Sequence, residues 1–348
     1  MIKDKLEKIF TQPAPKQEDL EFILAREKPQ ELEEIFNFAD QVRKQFMGDG
    51  ILLRGLVEFS NYCRNSCFYC GLNKNNKELE RYRLGKEEIL SCVEKLNSSG
   101  IKTVVLQSGE EDDLDPLWLK SVIEAIKAKF EIAITLSVGE RTKEEYKIWK
   151  DAGADRYLLK IESSNKELYD SLHSGMSFEN RLRCLRDLRE LGYQVGCGNM
   201  IGLRGQTLKI LAQDILFFKE NIFDMIGIGP FIPHPQTRLA TRKKGELNLT
   251  LKVLALTRIV TKDSHLPATT ALGSLEEDFR IKGLMAGANV LMPNFTPVKY
   301  RKLYEIYPGK RCITEPAGSC ASDMKELARS LGRYIDYSRG DSRRQMFS

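Results

Sequence analysis

From residue 51 onward, short runs rich in β-branched and apolar residues alternate with amphipathic stretches of about a dozen residues. The runs are LLRGLVEFS from residue 52, KTVVLQSG from 102, IAITLSVG from 132, DRYLLKIE from 155, YQVGCGNM from 193, DMIGIGP from 224, LPATTAL from 266 and NVLMPN from 289. Their composition suits pleated strands, whereas the stretches between them space their apolar residues at helical intervals. Several of these stretches end in a glycine just before the next strand, at Gly100, Gly153, Gly192 and Gly287, where a left-handed residue can stop a helix. Two of those junctions, DAGADRYLL and MAGANVLMP, resemble each other and predict equivalent helix-to-strand turns.

Eight strands alternating with helices predict an α/β fold, a (β/α)8 TIM-type barrel with its functional groups at the carboxyl ends of the strands. A doubly wound sheet satisfies the same alternation, because the pattern does not reveal closure. The first 48 residues are different: in PQELEEIFNFADQVRKQFMG, Leu32, Ile35, Phe36 and Ala39 recur at helical spacing and Gly48 marks the end. The expected organisation is an N-terminal helical cap over 1–48, the barrel over 49–310 and a C-terminal extension over 311–348.

Strand parity adds a second layer of information. In DRYLLKIE one face carries Tyr157, Leu159 and Ile161, and the other Arg156, Leu158, Lys160 and Glu162. In LLRGLVEFS the division is Leu53, Val57 and Phe59 against Arg54, Glu58 and Ser60; in IAITLSVG it is Ile134, Leu136 and Val138 against Thr135 and Ser137. Strands of a parallel sheet are normally apolar on both faces. Here one face suits covering helices and the other, polar or charged, points into the barrel. Buried charges are costly unless paired or used by a ligand. Arg54, Glu58, Arg156, Lys160 and Glu162 therefore predict a structural ion network or a polar ligand, since a barrel filled only for stability would use Val, Ile and Leu.

Composition narrows the class. The 348 residues suffice for one large barrel or two smaller units. Hydrophobic residues make up 42% and charged residues 30%, without a long apolar run or a secretory leader, which predicts a cytoplasmic protein with no membrane partner. The net charge of +5 is spread over 54 basic and 49 acidic residues, too diluted for a nucleic-acid footprint. The basic stretch SRGDSRRQ is expected to be a solvated terminus. Eight cysteines in so large a chain do not make a disulfide scaffold; they suit a reducing compartment.

Three of the cysteines, Cys63, Cys67 and Cys70, crowd into SNYCRNSCFYCGL at residues 60–72. CxxxCxxC is also the spacing of one helix face, but Asn61, Asn65, Ser66, Gly71, Asn73, Asn75 and Asn76 favour a loop. A structural zinc site wants four ligands. The next cysteine, Cys92, falls in the helical pattern GKEEILSCVEKLNSSG, and no histidine lies within a hundred residues of Cys70. Three thiolates on a 4Fe-4S cluster are the remaining option, and they leave one iron without a protein ligand, as a catalytic site requires. A metal-binding or electron-transfer module without turnover shares the loop but gives no use to the polar inner faces.

CxxxCxxC with an aromatic, Tyr69, directly before the last cysteine, placed after the first strand of a βα barrel, resembles the radical S-adenosylmethionine signature. The resemblance implies that the open iron chelates S-adenosylmethionine and that one electron from a reduced flavodoxin or ferredoxin-type donor cleaves it. It also implies roles for QSGEE, with Gln107, Ser108, Gly109 and Glu110 near the methionine end. By the same likeness, Glu162 is the acidic contact to the cofactor and Arg181 in SFENRLRC pairs with its carboxylate. GNMIGLRGQT, which contains Met200, lets backbone approach the adenosyl moiety, and Ser137 and Ile228 complete that wall.

The likeness extends along nearly the whole chain. LQSGE, AGADRYLL, SFENRL, MIGL, IGIGPFIPHP, LTLKVLALTRI, PATTA, AGANVLMPN and LYEIYPGK, with the cysteine loop, are together similar to the HydE family of FeFe-hydrogenase maturases. That family implies radical attack at sulfur on an iron-bound cysteine complex supplied with the help of other maturases. Arg54 and Arg156, placed inside by parity, would receive such an anion; Met225, Thr269, Thr270, Met292 and Tyr307 are further substrate candidates by resemblance.

Some positions depart from the family pattern. The second-cluster motif CxxxxxxxCxxC is matched by Cys312 and Cys320 but has Asp323 third, so no second cluster is expected. Ile161 stands where a histidine is typical, and Arg204 where many members have proline. Methylornithine synthase, which shares the architecture and a single cluster, and biotin synthase are neighbouring families. Cys92, Cys184 and Cys197 are expected to be packing residues, and His173, His234 and His265 turn residues. No spacing supports hydrolase chemistry.

Overall fold

The structure, a computed structural model, describes residues 2–311, 313–314 and 319–344. The chain enters a barrel on β1 (Gly50–Leu53), passes Arg54 and continues as β2 (Gly55–Ser60). A two-residue strand, β3 (Ser66–Cys67), follows in the cysteine loop, and then come β4 (Thr103–Ser108), β5 (Ala133–Ser137) and β6 (Arg156–Leu158). β7 (His173–Ser174) is a short partner for β3, and β8 (Gln194–Ile201) and β9 (Met225–Pro230) complete a six-stranded sheet in the order β2-β4-β5-β6-β8-β9. Every neighbouring pair in that sheet is parallel.

Two shorter strand positions close the ring. His265 bridges to Met225 of β9, and Pro267 bridges to Val290 of β10 (Val290–Leu291). β10 in turn pairs in parallel with β1, and Asn294 bridges to Leu56 of β2. The N–H groups of Ile226, Asn289 and Leu52 donate to the carbonyls of His265, Leu266 and Asn289 at 2.9, 2.9 and 3.0 Å. All eight predicted strands are therefore present, in chain order around a closed ring. The last two are pared down because Pro267 and Pro293 remove ladder donors.

Helices α1 (Ile2–Thr11), α2 (Gln17–Leu24) and α3 (Pro29–Met47) precede the barrel. The crossovers hold α4 (Lys86–Ser98), α5 (Pro116–Lys129), α6 (Lys143–Asp151), α7 (Lys166–Leu172), α8 (Phe178–Glu190), α9 (Leu208–Glu220), α10 (Leu247–Thr261), α11 (Thr270–Gly273), α12 (Arg280–Met285) and α13 (Val298–Arg301). Local chemistry fixes their starts: Asp115 caps α5 ahead of Pro116, and Thr142 and Glu145 form a capping box on α6. α1, α2 and α3 pack on α9, α10 and α12, adding a second helical layer along one flank.

Parity is realised as expected. Val57, Phe59, Leu136, Tyr157, Leu159 and Ile161 are buried in the layer between strands and helices. Each such side chain contributes about 1.5–3 kcal/mol by leaving water. Among the described residues no helix is long and apolar enough to cross a membrane.

The C-terminal segment departs from expectation. After α14 (Ser319–Ser330), β11 (Tyr334–Asp336) pairs in parallel with β1 on the edge opposite β10. Residues 338–344 then cross the amino mouth of the barrel instead of lying in solvent. Arg156 donates to the Arg339 carbonyl (2.8 Å) and to Asp341 (2.6 Å), and Thr103 Oγ1 donates to the Arg339 carbonyl (2.8 Å). Arg344 donates to Asp263, the Phe223 carbonyl and Ser264 at 2.6–2.9 Å. Gly340 has φ +59°, and a Cβ there would approach Leu52 to 2.7 Å. Buried polar groups of several strands find their partners in this tail.

Candidate functional site

β2 delivers the chain to the carboxyl mouth, where residues 61–72 form a loop and not a helix. Asn61 holds its start, donating to the carbonyls of Glu80 and Leu303 at 2.8 Å each and accepting from the Tyr82 N–H at 2.8 Å. The Arg64 N–H donates to the Glu110 carbonyl (2.7 Å), β3 pairs with β7, and the Gly71 N–H donates to the Ile306 carbonyl (3.0 Å). Arg81 binds the carbonyls of Asn61, Leu72 and Asn73 at 2.5, 2.9 and 2.8 Å. Gly109 is required by contact: a Cβ there would stand 2.1 Å from the Tyr62 carbonyl oxygen and 2.9 Å from Cys63 Cβ.

The three thiols share one electrostatic environment. Burial raises the pKa of Cys63; burial, followed by the charge of Cys63, takes Cys67 up to about 12; burial and both other thiols push Cys70 well up. Such a set resists becoming three thiolates unless a cation is bound, which is the work of a metal centre. Among the described residues no three His, Cys, Asp or Glu side chains close around one point as a single ion demands. Three thiols gathered on one loop are the donor chemistry that a four-iron cluster takes, each cysteine on a different iron.

Beside the loop, inside the carboxyl half of the barrel, lies a cavity of about 360 Å³. Of the residues expected to be functional, Cys63, Tyr69, Cys70, Gln107, Ser108, Ser137, Glu162, Met200, Met225, Thr269, Thr270, Met292 and Tyr307 line it, as do Glu58 and Lys160, which parity had directed inward. Gly227 and Gly229 line it as well, their missing side chains leaving room. Glu162 adopts φ +64°, a left-handed conformation uncommon for a residue with a Cβ, and its carboxylate lies 3.0 Å from Lys160 Nζ. The turn behind it is held by buried Asp214, which accepts from Ser164 N and Oγ at 2.7 Å each and from Asn199 Nδ2 at 2.9 Å.

Six expected residues are placed elsewhere. Cys67 sits behind the wall with its sulfur 3.9 Å from Met176 Sδ. The Glu110 carboxylate does not line the cavity; it accepts from Arg64 Nε (2.9 Å) and the Glu140 N–H (2.8 Å), tying two loops together. Arg181 is buried, bound to Glu140 (2.6 Å) and to the Lys160 carbonyl, so its charge is already matched by a carboxylate. Ile228 faces outward into the core, because its neighbours Gly227 and Gly229 hold the inward parity. Arg54 and Arg156 point inward as predicted but lie beneath the cavity, at the amino end. Arg54 reaches Met225 Sδ (2.8 Å) and the Gly340 carbonyl (3.2 Å), and Arg156 is engaged by the tail. Burial lowers the pKa of Arg54 well below the usual guanidinium range.

Other groups went unrecognised in the sequence. Lys310 lines the cavity and forms a buried ion pair with Glu58, whose other oxygen accepts from Asn294 (2.9 Å). LYEIYPGK ended on this lysine without revealing its partner. His173 and His265 are buried, not turn residues. His173 stacks on Tyr169 at 4.1 Å, and burial, together with the nearby Arg181 charge, brings its pKa down to about 3. A carbonyl can only accept, so Nδ1 donates to the Tyr169 carbonyl (2.9 Å) and Nε2 accepts from the Tyr69 hydroxyl (2.9 Å). His234 is in a turn, its Nδ1 accepting from the Gln236 N–H. Cys92, Cys184 and Cys197 are buried free thiols, as expected. Cys312 and the side chains of Cys320 and Asp323 lie outside the described residues.

Comparison with known proteins agrees with this geometry. Residues 57–218 match the radical SAM superfamily model. The chain is 50% identical over 301 residues to the FeFe-hydrogenase maturase subunit HydE of Thermotoga maritima, a match covering 86% of each protein. It is 29% identical over 276 residues to 3-methylornithine synthase of Methanosarcina acetivorans, covering 79% of this chain and 78% of that one. Among solved structures, methylornithine synthase superposes with a TM-score of 0.82 at 24% identity over 95% of this chain and 97% of that one. The maturase HydG superposes with a TM-score of 0.83 at 20% identity over 97% and 76%. A closed barrel with a cysteine loop at its carboxyl mouth, and half the residues shared with HydE along most of the length, place the chain in the radical S-adenosylmethionine superfamily, in the HydE family of FeFe-hydrogenase maturases.

Proposed function

We propose that Cys63, Cys67 and Cys70 hold a single 4Fe-4S cluster whose open iron faces the cavity, and that S-adenosylmethionine binds between the cysteine loop and the wall formed by Gln107, Ser108, Ser137, Glu162 and Met200. The observation that carries this reading is the junction of loop and cavity: Cys63, Tyr69 and Cys70 are wall residues of the same enclosed space as Glu162. Bound there, the reduced cluster and S-adenosylmethionine supply a 5'-deoxyadenosyl radical. The chain's residues supply placement. Glu162, in its left-handed turn, would hold a carboxylate against the cofactor, and Arg181 with Glu140 stiffens the strand end behind it. The walls keep water away from the reacting atoms.

The deeper part of the cavity, with Met225, Thr269, Thr270, Met292 and Tyr307 above Arg54 and Arg156, is the proposed substrate end. Hydroxyls and thioethers suit a polar, sulfur-bearing iron complex. By kinship with HydE, the reaction is attack at the sulfur of an iron-bound cysteine complex during assembly of the diiron cofactor, with a flavodoxin or ferredoxin-type donor and other maturases as partners. An amino acid is the second substrate class, as the name of 3-methylornithine synthase, 29% identical over 79% of this chain, suggests.

Anaerobic reconstitution should give roughly four irons per chain and reductive formation of 5'-deoxyadenosine. Cys67→Ala should abolish that product, and its persistence in the variant would overturn the assignment. Turnover of a synthetic iron cysteine complex, set against lysine, separates the two substrate classes.

A further inference from the structure

We infer that His173 is a positioning residue for the cofactor site: its side chain and backbone together fix Tyr69 and Cys67, and so set the wall against which the cofactor rests. This rests on the cofactor reading above.

Two independent links converge on this residue. Its backbone is in register with Cys67 in the antiparallel ladder of β3 and β7, and one residue earlier the Phe68 N–H donates to the Leu172 carbonyl at 3.0 Å. Its imidazole bridges sideways, with Tyr169 at Nδ1 and the Tyr69 hydroxyl at Nε2, both at 2.9 Å. The ring is clamped as well as bonded, stacking on Tyr169 at 24° and meeting the Tyr69 ring edge-on at 5.4 Å. Tyr169 in turn lies 5.9 Å below the Arg181 guanidinium, which is fixed by Glu140. Tyr69 is thus the last member of a chain that begins at the buried ion pair of Arg181 and Glu140.

A histidine that served packing alone would not need its Nε2 aimed at a hydroxyl of the cysteine loop. Tyr69 sits one residue before Cys70 and lines the cavity; its ring packs beside Leu168, Leu172, Leu203 and Phe231, and its hydroxyl is the polar handle that reaches the imidazole. Without the imidazole acceptor the Tyr69 ring loses its polar anchor, while the backbone pairing of His173 with Cys67 stays in place. The consequence falls on the shape of the bound-cofactor wall, with the thiols still present to take up iron.

The test compares His173→Phe, His173→Gln, Tyr69→Phe and the double variant H173F/Y69F in the full reconstituted chain. It reads iron content, the electron paramagnetic resonance spectrum of the reduced cluster with and without S-adenosylmethionine, and the dissociation constant from that titration. H173F and Y69F should each keep about four irons but weaken S-adenosylmethionine binding roughly tenfold and broaden the cofactor-induced spectral change. The double variant should be no worse than either single, because both remove one bond, and H173Q should recover most of the affinity. Unchanged affinity in Y69F, which loses a single oxygen and is the safer variant for folding, overturns the role. Additive losses in the double variant overturn it too. A wild-type cluster whose spectrum ignores S-adenosylmethionine overturns the cofactor reading itself, and is told apart because it requires no variant.

Discussion

The Asp341 carboxylate lies 2.6 Å from the Arg156 guanidinium, joining the C-terminal segment to the inward face of β6 across the amino mouth of the barrel. Arg156 is buried, and also donates to Thr103 Oγ1 and Gln194 Oε1 at 3.0 Å each. Removing the carboxylate leaves a buried cation with one acceptor fewer. Asp341 is partly exposed, so the loss is smaller than for a fully buried pair. Asp341→Ala should cost about 1–3 kcal/mol, read as a lower urea midpoint at constant m value.

The same region sets an acid limit. Partial burial raises the Asp341 carboxyl, but Arg339 and Arg156 outweigh it and hold the group well below the usual carboxylate range. Asp155 is likewise raised by burial and lowered on balance by Lys127 and the Ile134 N–H. Both folded values are depressed, so their contribution is complete above the unfolded carboxyl pKa near ~4 and is lost as pH falls toward the folded values. Urea midpoints should hold a plateau above about pH 7, ease down below about pH 6.5, where the unfolded chain protonates His173 and His265 that burial keeps neutral in the fold, and drop faster below about pH 4. Asp341→Asn should lower the plateau and make the drop shallower.

Glu58 and Lys310 form an ion pair with almost no solvent contact at the cavity wall. Lys310→Met strands the carboxylate with Asn294 as its remaining polar partner and should cost about 3–5 kcal/mol. Pairing it with Glu58→Leu removes both charges and should return most of that stability. A double variant no more stable than K310M would show that the pair's value is not electrostatic; thermal melts of the three variants decide.

Glu162 combines an unfavourable backbone conformation with a proposed cofactor contact. Glu162→Gly relieves the left-handed strain and should leave the fold as stable as wild type or up to about 1 kcal/mol more so. S-adenosylmethionine binding should weaken at least tenfold in the same variant, measured by titration of the reduced cluster. Stability and affinity moving in opposite senses is the expected signature of strain retained for function.

Much of this was legible in the chain because alternation reports which face a strand residue occupies. It put Tyr157 and Leu159 against the helices and Glu58, Lys160 and Glu162 inside. Alternation does not report depth. Arg54 and Glu58 share parity, yet four residues of strand, about 13 Å, separate the barrel floor from the cavity wall. The expectation for Ile228 rests on the family likeness, and parity corrects it: the glycines on either side of it are the inward residues. The tail was illegible for another reason, since SRGDSRR has polar character that water would satisfy equally well. Only the assembled mouth, with Thr103, Arg156 and Gln194 gathered from three strands, makes docking preferable. His173 was hidden because its partners lie on the cysteine loop, far away in sequence.

β1 lies between β10 and β11, with Ile51 beside Ile335 and Leu52 beside both Val290 and Asp336. The first barrel strand to be synthesised is therefore the one that waits longest for both neighbours. Pairing over such separations is slow, and during that wait β1 has two open edges available to other chains. Ring closure should be the late event of folding, reached only after β11 has been made. Yield of the native protein is then limited by how well the nascent chain is kept from associating through that strand.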